Sequence, residues 1–200
     1  MKVFNMIKFI GSKNPKYKLE NIINDLPCKP VEGKGYLDSN SYRQGIWEES
    51  KPVPLTPTGS NEEISKGLFK DDKKEGVWEF YYNGELIRKG PYKDGKKNGY
   101  YLSYGKNGGL WRKISYKNDI QDGICEEYHS NGQLKERGSY KDNKKNGISE
   151  FYNEDGTLKE KGGYVNDKMD GYWEFYNEDG SLKDRILFNK DDKWNLLKKP

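Results

Sequence analysis

The chain has 200 residues, with 36 Lys and Arg against 32 Asp and Glu, for a net charge of +4. Leu, Ile, Val and Phe make up only about a fifth of it, and alanine is absent, while Gly (23) and Tyr (16) are abundant. This composition excludes a helical bundle, a coiled coil and a membrane span. It leaves disorder or an all-β protein with an aromatic core.

The first residues, Met1 to Ile10, alternate Lys and Asn with apolar side chains and contain no apolar run of signal-peptide length, so cytoplasmic residence is expected. Leu26-Pro27-Cys28 has the outline of a lipoprotein cleavage site, but Asn24 and Asp25 before it and Pro27 within it argue against one. Asn14-Pro15 followed by Leu19, Ile22, Ile23 and Leu26 predicts a short helix over about residues 15–26. Residues 1–44 are expected to act as an N-terminal cap, with a strand ending near Tyr36. Residues 45–69 read as a degenerate hairpin whose turn is replaced by the loop 51–61, which holds Pro52, Pro54 and Pro57. Residues 191–200 read as a tail. Cys28 and Cys125 lie far apart and read as two separate thiols, not a disulfide scaffold.

Between these ends the chain repeats itself. Gly84, Gly108, Gly132, Gly156 and Gly180 are each 24 residues apart, and Leu86, Leu110, Leu134, Leu158 and Leu182 keep the same step. So do Tyr92, Tyr116, Tyr140, Tyr164 and Phe188. A further series, Gly76, Gly99, Gly123, Gly147 and Gly171, has one step of 23. Four series in phase reject disorder for residues 67–190.

Each unit predicts a β-hairpin. A first strand of the type Tyr172-Trp173-Glu174-Phe175-Tyr176 leads to an Asn-Gly or Asp-Gly pair. Such pairs suit a two-residue type I′ turn, which needs φ > 0 at both centres. The second strand runs from the Leu to the Tyr of the series. A polar turn such as Lys141 to Gly147 then leads onward. The expected architecture is an all-β, elongated antiparallel meander of tandem hairpins of about 24 residues: five regular repeats over 70–190, preceded by the degenerate hairpin and the cap.

Candidate chemistry is sparse. The single histidine, His129, occupies a slot beside a turn that is Gly105, Asn153 or Asn177 elsewhere. Acidic pairs such as Glu154-Asp155 fall in turns and lack calcium-loop spacing. No catalytic, metal or cofactor-binding residue is expected. Two charged columns recur: Glu79, Glu126, Glu150 and Glu174 in the first strands, and Lys89, Lys113, Arg137, Lys161 and Arg185 in the second. The hairpin register predicts Glu126 opposite Arg137, Glu150 opposite Lys161 and Glu174 opposite Arg185. The columns read either as a self-neutralised face or as a basic ladder for a polyanion. The aromatic columns read as core, as a binding face, or as both. Departures from the repeat are the better binding candidates. Ile87 and Trp111 replace the Lys135/Lys159/Lys183 slot, and Tyr100, Tyr101 and Leu102 form the most apolar first strand. With Trp78, these residues are expected to make an apolar partner-binding patch.

Units such as Asp170-Gly171-Tyr172-Trp173-Glu174-Phe175-Tyr176-Asn177-Glu178-Asp179-Gly180-Ser181-Leu182-Lys183 resemble MORN-type repeats, in the bacterial variant of the YwqK-type antitoxin-repeat family. The resemblance covers residues 67–190 strongly and 35–66 weakly. It implies a twisted sheet of stacked hairpins that contacts other proteins, and it carries over no catalytic residue. Some members of the family resemble antidotes to a neighbouring toxin, and related eukaryotic repeats are linked to membrane lipids. Residues 1–30 and the 51–61 loop have no counterpart in the repeat. The expected function is therefore a non-enzymatic protein–protein interaction module: an antitoxin, immunity or inhibitor protein whose partner is another protein. The alternative is a peripheral binder of anionic lipid or another polyanion through Lys89, Lys113, Arg137, Lys161 and Arg185. No specific nucleic-acid partner and no cofactor are expected.

Overall fold

A computed structural model describes residues 28–52, 62–190 and 192–194, and these are all strands and turns. The predicted helix at 15–26 and the heart of the Pro-rich loop lie outside the described residues. The chain divides into two compact units, residues 1–96 and 97–200. The first contains β1 (Cys28–Leu37), β2 (Arg43–Pro52), β3 (Glu62–Lys70), β4 (Lys73–Tyr82) and β5 (Glu85–Lys93). A two-residue strand, β6 (Lys96–Lys97), falls at the boundary in the sequence. The second contains β7 (Gly99–Tyr104), β8 (Leu110–Lys117), β9 (Ile120–Tyr128), β10 (Leu134–Lys141), β11 (Lys144–Tyr152), β12 (Leu158–Val165), β13 (Lys168–Tyr176), β14 (Leu182–Asn189) and β15 (Asp192–Trp194). Within each unit every strand pairs antiparallel with its chain neighbour. The meander is thus as expected. Lys51 and Pro52 belong to β2 and not to the loop, and Asp192–Trp194 adds a strand where a tail was expected. No helix among the described residues is long and apolar enough to cross a membrane.

The two kinds of turn exchange the roles expected of them. Type I′ geometry joins one hairpin to the next through pairs that mostly lack glycine: Asp71-Asp72 (φ 51°, 61°), Asn118-Asp119 (51°, 68°), Asp142-Asn143 (52°, 65°) and Asn166-Asp167 (51°, 70°). Asn and Asp tolerate the left-handed region because their short side chains find local hydrogen bonds. Here Asn143 donates its N–H to Gln121 O (3.0 Å), and its Oδ1 accepts the Gln121 N–H (2.8 Å). Asp119 makes the same two-bond clasp with Lys97, and Asp167 makes it with Lys145. Each turn is thereby tied to the strand before its own hairpin.

The Asn-Gly and Asp-Gly turns are of a different type in four of the five repeats. Gly132 N–H reaches His129 O, His129 N–H reaches Gln133 O, and Gly132 alone takes φ > 0, at 86°. That is a type I turn closed by a left-handed glycine. The loops at Gly108, Gly156 and Gly180 repeat it. Only Asn83-Gly84 (φ 49°, 81°) forms the two-residue turn, because that loop has one residue fewer. This missing residue is the origin of the 23-residue step.

A β-bulge follows each of these loops. Tyr128 pairs with Leu134 and Glu127 with Glu136, so Lys135 has no opposite residue. Ile87, Trp111, Lys159 and Lys183 are the bulged residues of the other repeats. The longer loop and the bulge offset one another, so the register Glu126↔Arg137, Glu150↔Lys161 and Glu174↔Arg185 is observed as predicted.

In each unit one face of the sheet is packed. In the first unit Trp47, Phe69, Trp78 and Phe80 are buried, and Phe69 meets Trp78 edge-on with ring centroids 4.9 Å apart. In the second unit Tyr101, Ile114, Cys125, Ser149 and Trp173 form one buried column, and Tyr164 stacks edge-on against Trp173 at 5.2 Å. Bulk on one strand is matched by its absence on the strand before it. A Cβ on Gly67 would lie 2.4 Å from the Trp78 ring, and one on Gly162 would lie 2.2 Å from that of Trp173. Lysines roof the rings: Lys74 Nζ stands 3.8 Å from the Trp78 ring centroid and Lys97 Nζ 4.6 Å from that of Tyr101.

Candidate interaction surface

Alternation along the strands decides what each sequence-predicted residue can offer. Trp78 and Tyr101 lie on the packed faces, with 0% and 5% of their surface exposed. This corrects their assignment to a contact patch. The sheet has one packed face, and each falls in the register position that fills it. Ile87 and Leu102 are half-buried. Tyr100 is exposed, and Trp111 keeps 45% of its surface exposed because the bulge leaves it without an opposite residue. Trp78 and Ile87 belong to the first unit and the other four to the second. Tyr100 and Trp111 lie toward opposite ends of the β7–β8 hairpin, since Tyr100 pairs with Ser115 and Trp111 follows Leu110 at the loop. Within the second unit, therefore, the exposed rings of Tyr100 and Trp111 do not form one continuous patch.

The other face of the second unit is open and ordered in rows that cross the strands. One row reads Lys113, Glu126, Arg137, Glu150, Lys161, Glu174, Arg185 from β8 to β14, with each residue opposite the next. Lys113 Nζ lies 3.0 Å from Glu126 Oε2 and Lys161 Nζ 3.1 Å from Glu174 Oε2. Arg137 and Arg185 approach the same two glutamates at 3.8 and 3.7 Å. The first unit holds the same alternation by itself, with Glu79 between Lys66 and Lys89. Tyrosine hydroxyls complete the carboxylates: Tyr128 donates to Glu126 (3.1 Å), Tyr152 to Glu150 (3.1 Å) and Tyr176 to Glu174 (2.7 Å). Partial burial would push the Glu126 carboxyl up, but the hydrogen bonds of Lys113 and Tyr128 and the charges of Lys113 and Arg137 hold it below its ordinary value. The same pairing raises the Lys113 ammonium.

His129 sits in its loop with Nε2 3.0 Å from Tyr152 O, so it ties one repeat to the next. Cys125 is buried beside Arg112. Burial pushes its thiol up and the guanidinium only partly opposes this, so the group stays protonated and is no activated nucleophile. Among the described residues no group of three His, Cys, Asp or Glu side chains could hold a metal ion.

The turn clasps, loop glycines and bulges recur in register with the repeat, and the sequence profile of the MORN repeat variant matches the same units, at residues 74–94, 97–118, 121–142, 145–166 and 169–190. The chain belongs to the MORN repeat variant family. These matches span more than half of its length. A comparison with curated proteins found no match. In structural terms each MORN unit runs from just after one type I′ turn to the next. The residues that set units one and two apart, Ile87 and Trp111, occupy the bulge. Sequence reasoning found that slot as a break in the lysine column. It missed the alternating row as a whole, although both columns were in view, because alternation across strands appears only once every neighbour is paired.

Proposed function

We propose that this MORN repeat protein is a non-enzymatic protein-binding module, and that it serves as an antitoxin, immunity or inhibitor protein of the YwqK-like kind. The observation that carries the reading is Trp111: a large aromatic side chain held out by a bulge on a rigid hairpin, where the regular repeats place lysine. Exposed aromatics on rigid elements are the usual anchors of protein interfaces. Tyr100 supports it as a second exposed ring, with Lys113 Nζ 4.5 Å from its centroid. The polyanion alternative draws no support from the charged row, where glutamates alternate with the cations.

The test is capture from the native host with the full chain as bait and mass spectrometry as readout. One stoichiometric protein partner is expected, bound at least ~2 kcal/mol more weakly by Trp111→Ala. Undiminished capture by Trp111→Ala would remove this surface from the reading. Salt-sensitive binding to anionic vesicles, with no protein captured, would favour the polyanion alternative.

A further inference from the structure

The open face of the second unit carries a second row beside the charged one. Two residues along each strand from the charged row, and from Leu102 on β7, stand Tyr100, Ser115, Ile124, Ser139, Ile148, Gly163, Tyr172 and Leu187. Within hairpins they pair as Tyr100↔Ser115, Ile124↔Ser139, Ile148↔Gly163 and Tyr172↔Leu187, and between hairpins bulges shift the register, so that Gly163 pairs with Asp170. Large apolar residues therefore alternate with small ones from β7 to β13. Ile148 is 60% exposed, and Tyr100 and Tyr172 are exposed as well. Along the sheet the knobs stand about 9.6 Å apart, two strand spacings, with a gap one residue wide between them.

Both rows have the same period and the same parity. Consider a second copy laid face to face about a two-fold axis that runs parallel to the strands between β10 and β11. The axis exchanges β10 with β11, β9 with β12 and β8 with β13. Ile148 then meets Ser139 of the other copy, Ile124 meets Gly163, and Tyr172 meets Ser115. The same operation sets Arg137 against Glu150, Glu126 against Lys161 and Lys113 against Glu174. From β8 to β13 one axis thus puts each knob over a gap and each cation over an anion, while at the outer pair, β7 and β14, Tyr100 falls over Leu187 and Leu102 over Arg185.

We infer that the second unit pairs with a second copy of this chain through this face, about an axis between β10 and β11. A two-fold interface must be self-complementary, and this face is so in shape and in charge at once. Two sheets of equal twist pack face to face with their strands within about 30° of each other, so contact is closest at β10 and β11. Covering the charged row leaves no glutamate stranded, since each lies between cations and takes a tyrosine hydroxyl. The inference does not depend on the identity of any other partner.

Analytical ultracentrifugation of the full chain is expected to show a monomer–dimer equilibrium. Ile148→Glu should raise the dissociation constant by at least about tenfold, with the melting temperature of the fold retained because Ile148 faces solvent. Mixing Ser139→Cys with Ile148→Cys, each in a Cys28→Ser background, should give a disulfide between the two variants on oxidation. A chain that stays monomeric overturns the inference. So does a dimer indifferent to Ile148→Glu, or a mixture that yields no cross-link between the variants.

Discussion

Gly162 lies beneath the indole of Trp173, so close that a Cβ would come within 2.2 Å of the ring. The pair shows how a sheet of this kind packs: the largest residue of one strand lies flat over the strand before it, and only glycine leaves room. Gly67 and Trp78 repeat the arrangement in the first unit. Gly162→Ala should destabilise the protein by ~2 kcal/mol or more, because Trp173 is fully enclosed and cannot yield. Gly180→Ala meets nothing within 4 Å and bears only the strain of φ +81°, about 1 kcal/mol. Urea denaturation of the two variants checks this, and equal midpoints would contradict it.

Ser149 faces the same column with its hydroxyl wholly buried and without a hydrogen-bond partner. Removing a polar group that has no partner relieves a desolvation cost and breaks no bond. Ser149→Ala is expected to leave the denaturation midpoint unchanged or to raise it. A clear loss of stability would mean that the hydroxyl is bonded after all.

Tyr101→Ala and Trp111→Ala, two neighbouring aromatic truncations, should separate cleanly. Tyr101 is buried, so its loss opens a cavity and should cost about 3–5 kcal/mol. Trp111 stands at the bulge in solvent, and its loss should leave the melting temperature within a degree or two while weakening partner capture. Thermal melts followed by circular dichroism decide it.

Acid should weaken the first unit through Glu49. Burial would push this carboxyl up, but hydrogen bonds and charge from Lys74 (2.8 Å) and Arg43 (3.0 Å) outweigh that and hold it below 4.5, its ordinary value. A group depressed on folding stabilises the native state fully above its unfolded value. That stability is lost as pH falls through the folded one. The denaturation midpoint should therefore drop as pH is lowered from 6 to 3. Glu49→Gln should be less stable at neutral pH, because Lys74 loses this counter-charge and Arg43 keeps only that of Asp72 (2.8 Å), and should show a flatter acid limb.

Much of this was legible in the residues themselves. The 24-residue step of the Leu, Gly and Tyr series is a local property, and it determines a meander of hairpins in any environment. The register Glu126↔Arg137 was also legible, although by way of two offsetting features. The loop at Gly132 is one residue longer than a two-residue turn, and the bulge at Lys135 takes that residue up again. Turn type was not legible, because Asn-Gly suits either geometry, and the neighbouring strand's Tyr128↔Leu134 pairing selects between them.

Which face closes was decided only by tertiary structure. Trp78 and Tyr101 read as exposed candidates because period-two alternation divides a strand into two sets without saying which one is covered. The clearance over Gly67 and Gly162 settles it, since an indole can lie flat only on the side where the preceding strand has no Cβ. Spacing along the chain was enough to give the repeat, the strands and the pairing. The assembled sheet decided the packed face, the placing of Trp111 at a bulge and the alternating charge row, because each depends on neighbours one or two strands away that local spacing does not specify.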